Sequence, residues 1–182
     1  MIKTEYTAET VVQCWIDAGP ARWFKKDAAF DDGFRTCFAA EHESAASGAH
    51  DEWVHGAVAA LALKILLDQY PRNSFRGTAR MFATYPQALR IAKQAIAQGF
   101  DQAGDPALRQ FLYLPFMHCE ALAEQHRSLE LYAPIGDEPM RYAVMHRDII
   151  ARFGRFPHRN ALMGRATTAE EQAFLDEGGF AG

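Results

Sequence analysis

The segment Arg152 to Arg165 reads Arg-Phe-Gly-Arg-Phe-Pro-His-Arg-Asn-Ala-Leu-Met-Gly-Arg, setting four arginines, His158 and Asn160 among Gly154, Pro157 and Gly164. The glycines and the proline make it a loop. Arginine is always protonated and presents a planar fork of N–H donors matched to carboxylate or phosphate, so several on one loop need anions to face. A second run, Arg72, Arg76 and Arg80, follows Asp68 and surrounds Asn73. Residues 68–80 and 146–165 together hold eight arginines against Asp68 and Asp148, a local +6 that leaves −10 for the rest of a chain of net charge −4. If the two segments meet in space, they form a localised anion site. The anions are either the protein's own carboxylates or a ligand. In the first case Asp68, Asp148, Glu120 and helix-end carbonyls hold the loop down as a structural network. In the second, Asp68, Arg72, Asn73, Arg76, Arg155, His158, Arg159 and Asn160 line a ligand-binding pocket. Eight arginines against few nearby acids favours the ligand, because an unpaired buried guanidinium is costly.

His118, Glu120 and His146 are the candidates for proton transfer, since histidine titrates near neutral pH. Each has a plainer reading as a hydrogen-bonded core residue. His118 and Glu120 point about 200° apart on a helix and do not share a metal ion, whereas His118 and Gln125 share a face. Neither an HExxH nor a Glu-x-x-His spacing occurs, so no dedicated metal site is expected. Cys119 adjoins His118, but helix neighbours do not face each other, so the two are not a nucleophilic pair. Cys14 and Cys37 lie on apolar stripes and read as small core residues. The aromatic pairs Trp23-Phe24 and Phe153/Phe156 read as packing.

The rest of the chain must position these groups. Its 182 residues suit one domain spanning 1–182, with 49% apolar and 23% charged residues, a globular balance that excludes disordered and fibrous classes. The three cysteines are odd in number, with no CxxC, which points to a reducing cytosol. The polar, acidic start Met1 to Glu9 lacks the pattern of a signal peptide, and no apolar run approaches the ~20 residues of a membrane span. The net charge argues against a nucleic-acid partner.

Apolar periodicity predicts helices throughout. Residues 8–18 follow the cap Thr7, and a second helix from near Asp27 carries Phe30, Phe34, Cys37 and Phe38 on one stripe before running out through Glu41 and His42. Residues 52–69 form the most apolar helix, which Pro71 is expected to end. A short helix over 78–84 and a longer one over 86–98 follow, then one from Pro106 expected to kink or break at Pro115 before 116–132 resumes. A helix over 139–153 enters the arginine loop at Gly154, and Thr168 with Glu171 forms a capping box for a last helix through Leu175. No segment alternates as a strand does. The expected class is all-α, with seven or eight helices in antiparallel pairs packed as a bundle or a short superhelix.

Three strings in order, Leu61 to Asn73 (LALKILLDQYPRN), Phe111 to Glu120 (FLYLPFMHCE) and Phe153 to Asn160 (FGRFPHRN), resemble the signature blocks of a mainly bacterial family catalogued as domain of unknown function 924. Trp23 to Asp31 (WFKKDAAFD) is similar to its N-terminal part, so the likeness covers nearly the whole chain. The resemblance implies a tetratricopeptide-like right-handed helical fold and no particular reaction or cofactor. Lys64, where an apolar residue is usual, and Cys119, where serine is common, depart from it.

The expected function is binding of a small anionic, phosphate- or carboxylate-bearing ligand by a cytoplasmic helical protein. The alternative is an adaptor that clamps an acidic peptide or C-terminal carboxylate of a partner protein. Neither nucleic acid nor membrane is expected as a partner.

Overall fold

The computed structural model describes residues 6–180, and the extreme N-terminal residues read above against a signal peptide lie partly outside that range. All regular structure among the described residues is helical, as the periodicity requires, with no strand. The chain divides into two compact units, one made of the described residues up to Arg76 with Arg80–Pro115, the other of Gly77–Ala79 with the described residues from Phe116 onward.

In the first unit, α1 (Ala8–Ala18) starts at Thr7, whose side chain accepts from the Thr10 N–H, and stops at Gly19. A single turn, α2 (Pro20–Trp23), sends the Trp23 indole N–H back to the Trp15 carbonyl at 2.7 Å. Next, α3 (Ala28–Ala46) is capped by Asp27 and bends at Phe38, where φ −111° and ψ 17° leave the helical region. Its buried face is Asp31, Phe34, Phe38, Glu41, His42 and Ala45. Cys37 lies about 80° from the centre of that face and is exposed, and Cys14 is only half-buried, which corrects their reading as core residues. Glu41 and His42 turn inward, although their polarity marked them as a helix end.

The central helix departs most from expectation. A short 3₁₀ turn, Asp51–His55, precedes α4 (Ala57–Lys64), and the chain then widens into a π turn over Ile65–Gln69 and continues as α5 (Tyr70–Ser74). Pro71 does not end the helix. It lacks an N–H and its ring would strike the carbonyl four residues back, and the extra residue of a π turn relieves both problems. The Tyr70 N–H reaches the Ile65 carbonyl, five residues back, so the Leu66 and Leu67 carbonyls lose their helical donors. His42 Nδ1 donates to Leu66 O at 2.9 Å, and the Thr84 hydroxyl donates to Leu67 O at 2.5 Å. Burial holds His42 below the usual imidazole range, with the Leu66 hydrogen bond working against it, so the ring is neutral with Nδ1 protonated. A 3₁₀ turn over Ala79–Phe82 leads into α6 (Tyr85–Ala97). Around α4 and the π turn pack α1, α3 and α6, with Trp15, Phe34 and Phe111 as the aromatic centre, Trp15 and Phe111 meeting edge to face at 5.4 Å.

The unit boundary falls inside α7 (Pro106–His118), at Pro115. The expected break is therefore displaced: the helix runs through the proline and opens only at Cys119 to Ala121. Residues 111–118 are all buried, and that packing outweighs one missing backbone bond. In the second unit, Gln125 Nε2 donates to the Met117 and Cys119 carbonyls at 2.7 and 2.6 Å, closing that opening. There α8 (Leu122–Tyr132) packs on α9 (Asp137–Phe153), which ends at Gly154 in the left-handed conformation, φ 70°. The last helix, α10 (Ala169–Asp176), has the expected capping box, Thr168 with Glu171. Ile149, Ile150 and Phe156 centre this core, with Phe153 and Phe174 at its edge.

Thr84→Val leaves the Leu67 carbonyl without its donor, and the expected loss is about 1–3 kcal/mol. In a Pro71→Ala background the restored N–H has a helical route to the same carbonyl, so the loss there should be smaller. Urea midpoints of the four proteins of this cycle test the account, and equal losses in both backgrounds would refute it.

Candidate functional site

The residues singled out by composition fall into two groups. Asp68, Arg72, Asn73 and Arg76 belong to the first unit, and Glu120, His146, Arg155, His158, Arg159 and Asn160 to the second.

In the first unit, Lys64, Asp68 and Arg72 follow at four-residue spacing along one side of the central helix. Lys64 and Asp68 are wholly buried, and Arg72 is partly exposed. One oxygen of Asp68, Oδ2, accepts from Lys64 Nζ and from Gln69 Nε2, each at 2.5 Å. Burial pulls the Lys64 ammonium down to about 8, against the opposing pull of Asp68, so it is charged at neutral pH. Arg72 Nη1 donates to the Tyr85 hydroxyl at 2.9 Å. Arg76 reaches Asp31 Oδ2 through Nε and Asn73 Oδ1 through Nη2, both at 3.2 Å. Arg80 meets Glu43 at 2.7 Å and lies over the Phe75 ring at 3.9 Å.

In the second unit, two carboxylates gather the arginine loop. Glu120, just past α7, takes the Phe156 N–H at 2.8 Å and both terminal nitrogens of Arg165 at 2.6 and 3.0 Å. Burial raises its pKa, but the Arg165 and Phe156 donors outweigh that and leave it below the ordinary carboxylate value. Glu171, in the first turn of α10, takes Arg155 through Nε at 2.6 Å and Nη2 at 2.8 Å, Asn160 Nδ2 at 3.2 Å and the Thr168 N–H at 2.7 Å. These donors, Arg155 first, bring its pKa down to about 2. Arg152 pairs with Glu170 at 2.9 Å. Arg159 donates to the His118 carbonyl at 2.9 Å and lies over the Phe156 ring at 4.2 Å.

The histidines have plain surroundings in that unit. His146 Nδ1 bonds the Tyr142 carbonyl at 2.8 Å, and its ring packs against Phe156 and Phe180. His158 sits against the same two rings. His118 is buried at the last turn of α7, and because the helix opens after it, it does not share a helical face with Gln125 on α8.

Of these partners only Glu120 is marked by the sequence as a site candidate; Glu170, Glu171, Tyr85 and Thr84 are not. Glu171 was visible only as a capping-box residue, and its second task depends on a fold that returns α10 to the loop. Lys64 drew notice only as an oddity, although its spacing to Asp68 and Arg72 was legible.

These elements define an all-helical protein whose signature segments form a π turn with a buried charge row in one unit and a carboxylate-clamped arginine loop in the other. The chain belongs to the family of bacterial proteins of unknown function DUF924, whose model matches residues 11–179. It is similar to a solved protein of unknown function, ATU0120 from Agrobacterium tumefaciens, with 50% identity and a TM-score of 0.91 over 93% of this chain and 97% of that one. No curated protein matches it.

The Glu171 cluster has an expected pH signature. The folded carboxyl titrates near 2 and the unfolded one near 4.5, so the unfolded state binds the extra proton between those values. Its contribution is intact above pH 4.5 and is lost as pH falls towards 2. Glu171→Gln should cost about 3 kcal/mol at pH 7, the low end for a broken buried ion pair because Arg155 keeps some solvent. The gap between wild type and variant, read from denaturant unfolding, should narrow as pH falls from 5 to 2; a constant gap would refute this assignment.

Proposed function

We propose that the protein binds a small phosphate- or carboxylate-bearing ligand at the carboxyl end of the central helix, with Arg72 as the principal guanidinium and Asn73 and Arg76 beside it. The carrying observation is the partner of Arg72. Among the described residues, the other arginines of the two basic segments hydrogen-bond a carboxylate or, for Arg159, a backbone carbonyl, whereas Arg72 donates to a phenol. Its other N–H groups make no hydrogen bond to the described residues, and the residue as a whole is half-buried. A guanidinium with open donors is what an anion needs. Asn73 accepts from Arg76 through its oxygen, which leaves its amide N–H₂ as a further donor. The carboxyl end of a helix carries partial negative charge, so an anion there depends on these side chains rather than on the backbone. The π turn supports the reading, because such turns concentrate at functional sites.

In this reading Arg155, Arg159 and Asn160 fix the loop and Arg72 meets the ligand, while Asp68 balances the charge row. No observation favours the peptide-clamping alternative. The cytoplasm is the proposed location, supported by three free cysteines and by the lack of a described helix long and apolar enough to cross a membrane.

Thermal shift against phosphate, sugar phosphates and dicarboxylates is the test. A ligand at one hundred times its dissociation constant adds about 2.7 kcal/mol, a rise of several degrees for a chain of this size. Arg72→Ala should abolish the response with the helical signature intact. Arg155→Ala should lower the melting temperature of the free protein and keep the response. Loss of the response in Arg155→Ala but not in Arg72→Ala, or no response to any anion, would refute the assignment.

A further inference from the structure

Asp31, in the first turn of α3, is 7% exposed and belongs to the same unit as Arg72, Asn73 and Arg76. One of its oxygens, Oδ2, accepts from Arg76 Nε, and the same guanidinium sends Nη2 to Asn73 Oδ1. The other oxygen, Oδ1, is buried and meets no hydrogen-bond donor among the described residues. A buried carboxylate oxygen without a donor is costly, and a guanidinium on one oxygen does not satisfy the other. The Arg76 side chain that covers Asp31 is 35% exposed and stands past the end of α5, where Phe75 at φ −122° and ψ 28° has left the helical conformation. It is therefore not held in place by a helix.

Resting on the anion reading above, we infer that Asp31 is a specificity-determining residue of that site, and that the ligand is a small anion bearing an ammonium group, of the amino-acid or amino-phosphate class. The anionic end meets Arg72, Asn73 and Arg76, and the ammonium donates to Asp31 Oδ1. An ammonium suits this place because it gives an N–H to the unmet oxygen and a cation to the carboxylate at once. A plain anion beside Asp31 gains neither and is repelled by its charge.

The experiment is calorimetric titration at pH 7 of wild type and Asp31→Asn, each first checked for helical content and a cooperative urea transition. The probes are inorganic phosphate and two matched pairs, aminopropyl phosphate against butyl phosphate and γ-aminobutanoate against pentanoate. Within a pair the anion is the same, and a methyl group replaces the ammonium. Wild type should bind the amino member of at least one pair about tenfold more tightly, as expected for a charge-assisted hydrogen bond to a buried carboxylate. In Asp31→Asn that ratio should fall below about threefold, because the charge that strengthens the bond is gone. If Asp31 acted only by holding Arg76, its loss would change both members alike and leave the ratio standing. An unchanged ratio in Asp31→Asn, or no preference for either amino compound in wild type, overturns the inference, and phosphate binding in that case keeps Arg72 as the anion site. Failure of wild type to bind any of the probes overturns both. Should Asp31→Asn not fold, the trimethylammonium analogue of the tighter amino compound decides in wild type, since it keeps the charge and has no N–H. Affinity nearer that of the methyl compound supports the contact with Asp31, and affinity nearer that of the amino compound overturns it.

Discussion

Pro71 has no backbone N–H to give, and much of the first unit is arranged around that fact. A proline inside a buried helix removes one hydrogen bond and collides with the preceding turn. Here the helix absorbs the insult by widening to a π turn over Ile65–Gln69, and the two carbonyls left over are met from outside by His42 and Thr84. Those bonds tie α3 and the entrance of α6 to the central helix at the level of the charge row. An unpaired carbonyl at this depth would cost about as much as a substantial core substitution, so the surrounding helices are constrained in position as well as in packing.

The second unit solves a different problem with a similar economy of parts. A loop carrying four arginines would repel itself if left alone. Glu120 and Glu171 instead serve as gathering points, each accepting from backbone and side chain at once. The bidentate geometry at both carboxylates fixes the planes of Arg165 and Arg155, and with them the path of residues 155–165. Cation-bearing side chains on this loop are therefore structural members of their unit, while Arg72 in the other unit donates to the Tyr85 hydroxyl.

A buried Lys64–Asp68 pair is a poor source of stability, because desolvation of two charges consumes most of their attraction. Gln69 Nε2 shares the same Asp68 oxygen with Lys64, so the pair is held by hydrogen bonds as well as by charge. Lys64, Asp68 and Arg72 carry one net positive charge between them, and two of the three never reach the surface.

Much was determined by the sequence alone. Periodicity in α1 and α9, the Thr7 cap, the start of α3 near Asp27, the Thr168–Glu171 box and the stop at Gly154 are local effects of side chain on adjacent backbone, and they were legible for that reason. The all-helical class and the family followed from the same patterns and from three signature strings. Tertiary structure decided the rest. Whether Pro71 or Pro115 ends a helix depends on how deeply its neighbours are buried and on whether a distant donor meets the freed carbonyl. Whether an arginine is clamped or open depends on which carboxylate the fold brings to it. The spacing of Lys64, Asp68 and Arg72 was in the sequence, but their burial, which gives that spacing its energetic weight, came only from the helices packed around them.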